Sequence, residues 1–407
     1  MRAAVVGGGL AGLAAALELV DTGHEVTLYE ARPTLGGKVQ TLPERDGDPK
    51  PPPDNGQHIA LGCFTEYLGF LERIGSAGQV KRLRLALTVI DERGRAAKIG
   101  YGLGPLLSYR HLGVRDRIRI AVLLARLPRL EAGEDETFGA LLRRHGQNDD
   151  SIERFWDVFI RPGLNLRTDE VQAKAAWFTV VTALRSGRAA SDLVLPTAPL
   201  GEMHGDAARK ALERAGARVQ TGVRVDDLEE LGVDSVVLAL PPDDAARLLG
   251  GPPARVDYSP IVSVHLLFDR VILHEPLGAL LGSDAHWLFD RGRLTGHEPD
   301  RGQYLTVVSS AAPELLEIRG RELVDRIAGQ VTERLGEAEV LWSRVSREPE
   351  ATVAVRPGLR LPDSDRDGIA LAGAWRAAPW PPTMESAVRS GRAAARMLSD
   401  VATKVAV

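Results

Sequence analysis

The sequence predicts an α/β protein in which a Rossmann-type dinucleotide-binding domain is interleaved with a second domain of mixed sheet and helix. Three observations carry this. A short apolar strand, Ala3 to Val6, runs into Gly7-x-Gly9-x-x-Gly12, which opens a helix. A second strand, Glu25 to Tyr29, ends on the acid Glu30, 18 residues after the last glycine. Fully apolar strands recur late in the chain, at Asp234–Leu240 and Ile369–Gly373, with helical and mixed stretches between.

Each part of the first unit has a physical task. Gly7 permits the tight turn. Gly9 carries no side chain, so the backbone can approach a pyrophosphate. Gly12 lets the helix lie close on the strand. The helix start at Leu10 and Ala11 offers unpaired N–H groups and a partial positive charge, which suit a diphosphate. Glu30 is placed to accept hydrogen bonds from a ribose 2′-hydroxyl and to repel a 2′-phosphate, and Ala31 and Arg32 follow it.

Farther along, residues 43–56 are proline-rich and polar and read as a loop. A helical period spans Thr65–Ile74. Residues 83–100 suggest two strands about the turn Glu92-Arg93-Gly94, and 104–190 are mostly helical. Ala208–Ala215 reads as helix and Gly216–Val225 as strand. Further strands fall near 260–269 and 303–309, with helices at about 320–335 and Met384–Leu398. The expected dinucleotide domain is discontinuous: 1–75, 196–255 and 355–400. The substrate domain is 76–195 and 256–354, and 401–407 is a tail.

Composition narrows the function. Of 407 residues, 44% are hydrophobic and 26% charged, enough for two domains and a large core. A net charge of −4 gives no footprint for nucleic acid. The single cysteine, Cys63, excludes an internal disulfide and a cysteine metal cluster, and it fits a reducing compartment. No metal is expected. The first strand begins at the start of the sequence, so no signal peptide is expected, and no apolar run reaches the ~20 residues of a membrane span. The expected location is cytoplasmic. No Ser-His-Asp order or Walker loop stands out, so the chemistry is expected to come from a cofactor.

Gly36-Gly37-Lys38-x-x-Thr41 extends the first unit and resembles the FAD-binding signature of the flavin amine oxidase and carotenoid desaturase superfamily. The resemblance implies that Gly36, Gly37 and Lys38 pass along the phosphates and flavin, and that Val225 gives its backbone to the adenine. Gly373-Ala374-Trp375-Arg376 with Pro381–Gly391 resembles the superfamily's closing flavin motif. There Gly373, Ala374, Thr383 and Met384 meet the flavin, with Thr383 as the helix N-cap and Glu385 early in the helix. Two positions depart from the pattern: Ala374 replaces the usual acid and Arg376 the usual threonine. Asp54-Asn55-Gly56-Gln57-His58 reads either as a strip lining the flavin, with His58 or Asp54 as proton donor, or as a turn whose Asp and Asn bond their own backbone.

Several segments together resemble one family, the squalene-associated FAD-dependent desaturases, also described as hydroxysqualene dehydroxylases. They are Asp54–Cys63, Leu112–Arg117, Phe155–Asp157 with Leu164-Asn165, Ser191–Pro196 with Pro199-Leu200, Pro260-Ile261 with His265, Trp287–Gly292 and Glu385–Gly391. The resemblance implies reduction of a hydroxylated C30 isoprenoid to squalene by reduced FAD, the hydroxyl leaving as water, with an electron donor outside the chain. Trp156, Trp177, Trp287, Trp375 and Trp380 are then either cavity lining or core. The alternatives are a carotenoid-type desaturase, a flavin amine oxidase, and a non-catalytic FAD-stabilised lipid carrier. The stretch Tyr101–Leu130 holds six arginines and one acid among many leucines. It reads either as a patch touching the membrane surface, peripheral on the inner face of the cell membrane, or as helix packed on the protein's own core.

Overall fold

The computed structural model describes residues 1–363 and 366–405 and is organised by three sheets. The first is a five-stranded parallel sheet in the order Ile369–Leu371, Ser235–Leu238, Arg2–Val6, Glu25–Glu30, Arg218–Thr221. Its central strands are apolar on both faces because both faces are covered, as a parallel sheet requires. Helix Leu10–Asp21 is buried along most of its length between this sheet and the C-terminal helix Met384–Val405. The two helices touch backbone to backbone: a Cβ on Gly391 would stand 2.1 Å from the Ala11 carbonyl oxygen.

The second sheet has seven strands in the order Val340–Val353, Tyr258–Phe268, Gln303–Ser310, Trp287–Asp290, Leu277–Leu280, Ala86–Ile90, Ala96–Gly100. All its pairings are antiparallel except that of Leu277–Leu280 with Ala86–Ile90. Side chains alternate across a strand, so each face has its own chemistry. Val262, Val264, Leu266 and Phe268 pack with Leu323, Ile327 and Val331 of helix Gly320–Leu335. The intervening Ser263 and His265 face the other way. In register with them stand Thr306 on one neighbouring strand and Arg344 and Ser346 on the other. This polar face supports the loop at residues 42–58. A small antiparallel sheet, Ala60–Leu61, Leu193–Pro196 and Val80–Leu83, lies near the first turn of helix Thr65–Ile74.

Helices account for most of the stretch 103–185: Leu103–Ser108, Val114–Arg126, Phe138–Arg144, Asp157–Leu164 and Ala173–Arg185. Several expectations change. The strand read over Gly216–Val225 stops at Thr221, after which Gly222 takes a left-handed φ of 74°. The last helix runs to Val405, so 401–405 continue it, while 406–407 lie outside the described residues. Strands Leu277–Leu280, Trp287–Asp290 and Val340–Val353 were not expected. No helix among the described residues is long and apolar enough to cross a membrane.

Candidate active site

The turn after the first strand is shaped by its glycines. Gly7 has φ 108° and donates its N–H to the Tyr29 carbonyl at 2.8 Å. A Cβ on Gly7 would lie 2.3 Å from the Ala239 carbonyl oxygen, and one on Gly12 would lie 1.8 Å from that of Gly7. The chain's own packing therefore demands glycine at both. Gly9 differs. A Cβ there meets only the Gly37 Cα, at an ordinary 3.7 Å, and the backbone is extended at φ −77°, ψ 177°. Nothing in the polypeptide requires glycine at this position, which fits a ligand approaching the backbone. Gly9 is also the N-cap of helix Leu10–Asp21, and no side chain caps that end. The N–H groups at Leu10, Ala11 and Gly12 are thus left for an anion.

The neighbouring residues close around this turn. Gly36, with φ 112°, donates its N–H to the Gly8 carbonyl at 2.8 Å, and Gly37 backs so closely on Gly9 that a Cβ would stand 2.8 Å from its Cα. The Glu30 carboxylate accepts the N–H of Gly8 at 2.6 Å and of Arg32 at 2.8 Å. Ala31 and Arg32 are exposed beside it. The Lys38 ammonium lies 5.4 Å above the Tyr258 ring, joining this segment to the second sheet. The Val225 side chain is buried with Ala4, Val6, Leu238 and Trp375.

At the other end of the chain, Gly373 has φ 156° and donates its N–H to Ser390 Oγ at 3.0 Å. A Cβ on Gly373 would sit 2.3 Å from the Trp375 indole nitrogen, which itself donates to the Leu240 carbonyl at 3.1 Å. Ala374 is half-buried. Arg376 is held by Asp363 at 2.8 Å and by the Pro362 carbonyl at 3.0 Å. Thr383 caps the last helix in concert with Ser386: the Thr383 N–H meets Ser386 Oγ at 2.7 Å, and the Ala387 N–H meets the Thr383 carbonyl at 3.0 Å. Met384 is the first residue of that helix. Glu385, fully buried, accepts the N–H groups of Tyr67 at 2.8 Å and Glu66 at 3.3 Å, and pairs with Arg389 at 2.6 Å. It thus caps a different helix, Thr65–Ile74, whose own N-cap residue Phe64 has no side-chain acceptor.

The loop at residues 42–58 is pinned from both sides. Thr41 Oγ1 donates to Asp54 at 2.7 Å and the Leu200 N–H to the same oxygen at 2.9 Å. Arg291 reaches the second Asp54 oxygen at 2.8 Å and the Pro52 carbonyl at 2.8 Å. Asp54 and Arg291 are 1% and 2% exposed. A second buried pair, Arg344 with Asp48 at 2.5 Å, fixes the other end of the loop. Asn55 Nδ2 donates to the Lys38 carbonyl at 2.9 Å and to Glu348 at 3.3 Å. Gly56 stands on Ser263, whose Oγ would be 3.0 Å from a Cβ. Of the two expected proton donors, Asp54 has both carboxylate oxygens engaged by the scaffold and serves as an anchor. The sequence-level alternative for Asp54 and Asn55, local bonding within a turn, is replaced by this long-range anchoring.

His58 remains the half-buried titratable group of the strip. Its Nδ1 lies 3.3 Å from the Gly56 carbonyl, which can only accept, so Nδ1 carries the proton and Nε2 the lone pair. Burial holds this imidazole below its ordinary pKa, against the raising effects of the Gly56 carbonyl and of the Asp54 and Glu348 charges. Gln57 is half-buried beside it. Arg291, Arg344, Glu348 and the capping role of Glu385 escaped the sequence reading, although Arg291 lies inside the quoted segment Trp287–Gly292. Of the tryptophans, Trp156, Trp287 and Trp375 are buried, and each gives its indole N–H to the protein, to Gln147, Val158 and Leu240 in turn. Trp177 bonds the Leu127 carbonyl at 2.7 Å. Trp380 packs edge-on against Phe64 and Phe178 beneath Arg389.

Three further histidines are expected to make the fold acid-sensitive. Burial lowers the pKa of His204 to about 4 and of His265 and His286 to about 3, with the Arg291 charge adding to the effect at His265 and the Arg161 charge at His286. Unfolded imidazoles take up protons near pH 6.5, whereas these resist until far lower pH. The unfolded state therefore binds more protons, and stability falls as pH drops from about 6.5 toward 4. The urea midpoint is expected to be clearly lower at about pH 5 than at about pH 7.5, and His204→Gln is expected to reduce that difference.

The open helix end, the turn that Gly9 keeps clear and the acid closing the second strand fit the diphosphate and ribose of FAD, and with the parallel sheet they define a dinucleotide-binding protein. The chain belongs to the flavin containing amine oxidoreductase family, which matches residues 10–398. It is 28% identical to a hydroxysqualene dehydroxylase of Sinorhizobium fredii, over 98% of this chain and 99% of that protein. It is 27% identical to a zeta-carotene desaturase of Synechocystis over 56% of this chain and 50% of the relative. An oxidoreductase structure from Methanosarcina mazei superposes with a TM-score of 0.75 at 18% identity, covering 97% of this chain and 99% of that one.

Proposed function

We propose that the protein catalyses reductive dehydroxylation of hydroxysqualene to squalene. The observation that carries this is the end-to-end similarity to the Sinorhizobium fredii enzyme, which leaves almost nothing unmatched in either chain. In the reaction a carbon–oxygen bond breaks, a carbon–hydrogen bond forms, and the hydroxyl leaves as water after taking up one proton. Bound reduced FAD supplies the electron pair and hydrogen for the new bond; a donor outside this chain restores it.

The chain's tasks are to hold, dry and protonate. Gly7, Gly9, Leu10, Ala11, Gly12, Glu30, Ala31, Arg32 and Val225 hold the adenosine diphosphate end. Gly36, Gly37, Lys38, Gly56, Gln57, His58, Gly373, Ala374, Thr383 and Met384 hold the rest. Asp54 fixes the loop that presents His58. His58 Nε2 is the atom assigned to the proton that meets the leaving oxygen. With its pKa below the ordinary value, only a minority of His58 is protonated at neutral pH, so turnover is expected to rise as pH falls from about 8 to about 6.5. His58→Ala is expected to flatten that profile and to lower turnover about 10²-fold, with FAD retained. An unchanged rate removes His58 from the mechanism. We also propose that the enzyme works from the cytoplasm, peripherally on the inner face of the cell membrane, where a C30 hydrocarbon resides.

The zeta-carotene desaturase similarity favours a second reading, oxidation of a polyprenyl carbon–carbon bond. The flavin spectrum separates the two. Reduced enzyme given hydroxysqualene without oxygen regains the oxidised spectrum on the first reading. On the second, oxidised enzyme is bleached by a polyene precursor and the reduced enzyme stays reduced.

A further inference from the structure

We propose that the outer face of helices Leu103–Ser108 and Val114–Arg126 is a docking surface for an anionic phospholipid bilayer. This deepens the proposal of a peripheral enzyme, but it rests on exposed side chains and not on the reaction. Five of the ten exposed large apolar residues among the described residues lie on these two short helices: Leu103, Leu107, Val114, Ile118 and Val122, between 45% and 64% exposed. Their spacing of four places each set on one helix face.

The inner faces of the same helices are firmly seated. Leu106, Ile120 and Leu123, with Leu127 beyond, are buried in the cluster that holds Phe155, Trp156 and Trp287. The helices pack on each other, and the Arg117 guanidinium bonds the Leu107 carbonyl. The outer apolar strip is therefore a second face and not part of the core turned outward.

The charges around the strip say what covers it. At about 100° per residue, Val114, Ile118, Val122 and Ala125 fill an arc of about 80°, and Arg115, Arg126 and Arg119 follow along one edge, with Arg117 on the other. Arg110, Arg115, Arg126 and Arg129 are exposed and have no salt-bridge partner among the described residues. An apolar strip edged with arginine matches acyl chains flanked by lipid phosphates. A second copy of the chain fits less well, because a two-fold contact through this face would set arginine against arginine.

The test is flotation of the FAD-loaded protein with vesicles of phosphatidylcholine alone or with about one-third phosphatidylglycerol. The protein is expected to float with the anionic vesicles, much less with the neutral ones, and to be released by high salt. Arg115→Ala, Arg126→Ala and Arg129→Ala are each expected to lower partitioning on the order of fivefold. Val114→Asp with Ile118→Asp and Val122→Asp is expected to abolish it. Turnover of detergent-dispersed hydroxysqualene, read in parallel, is expected to be unaffected by any of them, so loss of docking and loss of the reaction are told apart. The proposal is overturned if the parent protein stays in solution with both vesicles, if the triple aspartate variant floats as the parent does, or if that variant instead converts a dimer to a monomer.

Discussion

Gly9→Ala is expected to fold as the parent does and to hold FAD at least about tenfold more weakly, about 1.4 kcal/mol. The argument lies in the contrast with Gly12. A methyl at Gly9 touches nothing of the chain closer than 3.7 Å, so the apoprotein has room for it, but it enters the space before an uncapped helix end. A methyl at Gly12 would stand 1.8 Å from a backbone carbonyl, where no flexible side chain can yield. Gly12→Ala is therefore expected to destabilise the apoprotein by about 1–3 kcal/mol or more, which exceeds the gain of about 1 kcal/mol from alanine's helix propensity. Thermal unfolding of the apoproteins and FAD titration by fluorescence read the two effects separately. If Gly9→Ala binds FAD as tightly as the parent, the diphosphate does not lie on this turn.

Arg291→Ala is expected to cost about 3–5 kcal/mol, among the largest single effects available in this fold, because it leaves the Asp54 carboxylate buried without its cation. Asp54 keeps the hydroxyl of Thr41 and the Leu200 N–H, but both bond the same oxygen, and the oxygen facing Arg291 is left unpaired. Asp54→Asn combined with Arg291→Met is expected to be milder than the sum of the two single changes by roughly 1–3 kcal/mol, since no lone charge remains. Urea unfolding of the four proteins closes the cycle. Strict additivity would show that the pair does not act as a unit. Turnover is expected to fall in Arg291→Ala even where the protein stays folded, since the same loop carries His58.

Much of the dinucleotide turn was legible because its constraints are local: glycine sterics, the strand before and the acid after sit within about thirty residues of one another. The pinned loop was not. Asp54 reads as a proton donor or as the acid of a local turn, because nothing near it in sequence announces Arg291. The polar strip was likewise invisible. Val340–Val353 carries Arg344, Arg347, Glu348 and Glu350, charges that mask its alternation, yet it is an edge strand whose alternate residues Arg344, Ser346 and Glu348 turn toward the loop. Its partner strand hides Ser263 and His265 among valines and leucines in the same way. Glu385 was noticed as an early helix residue, but its acceptor role belongs to a helix formed by residues 65–74, a relation only the fold creates. Leu277–Leu280 and Trp287–Asp290 are too short for a period to emerge.

The most direct test of the central claim is to incubate the FAD-loaded, chemically reduced protein with hydroxysqualene in the absence of oxygen and to identify the product by mass spectrometry. The account predicts squalene, one oxygen lighter than the substrate, in an amount equal to the FAD reoxidised in a single turnover. Hydroxysqualene recovered unchanged while the flavin stays reduced, under conditions where the Sinorhizobium fredii enzyme converts it, would contradict the account.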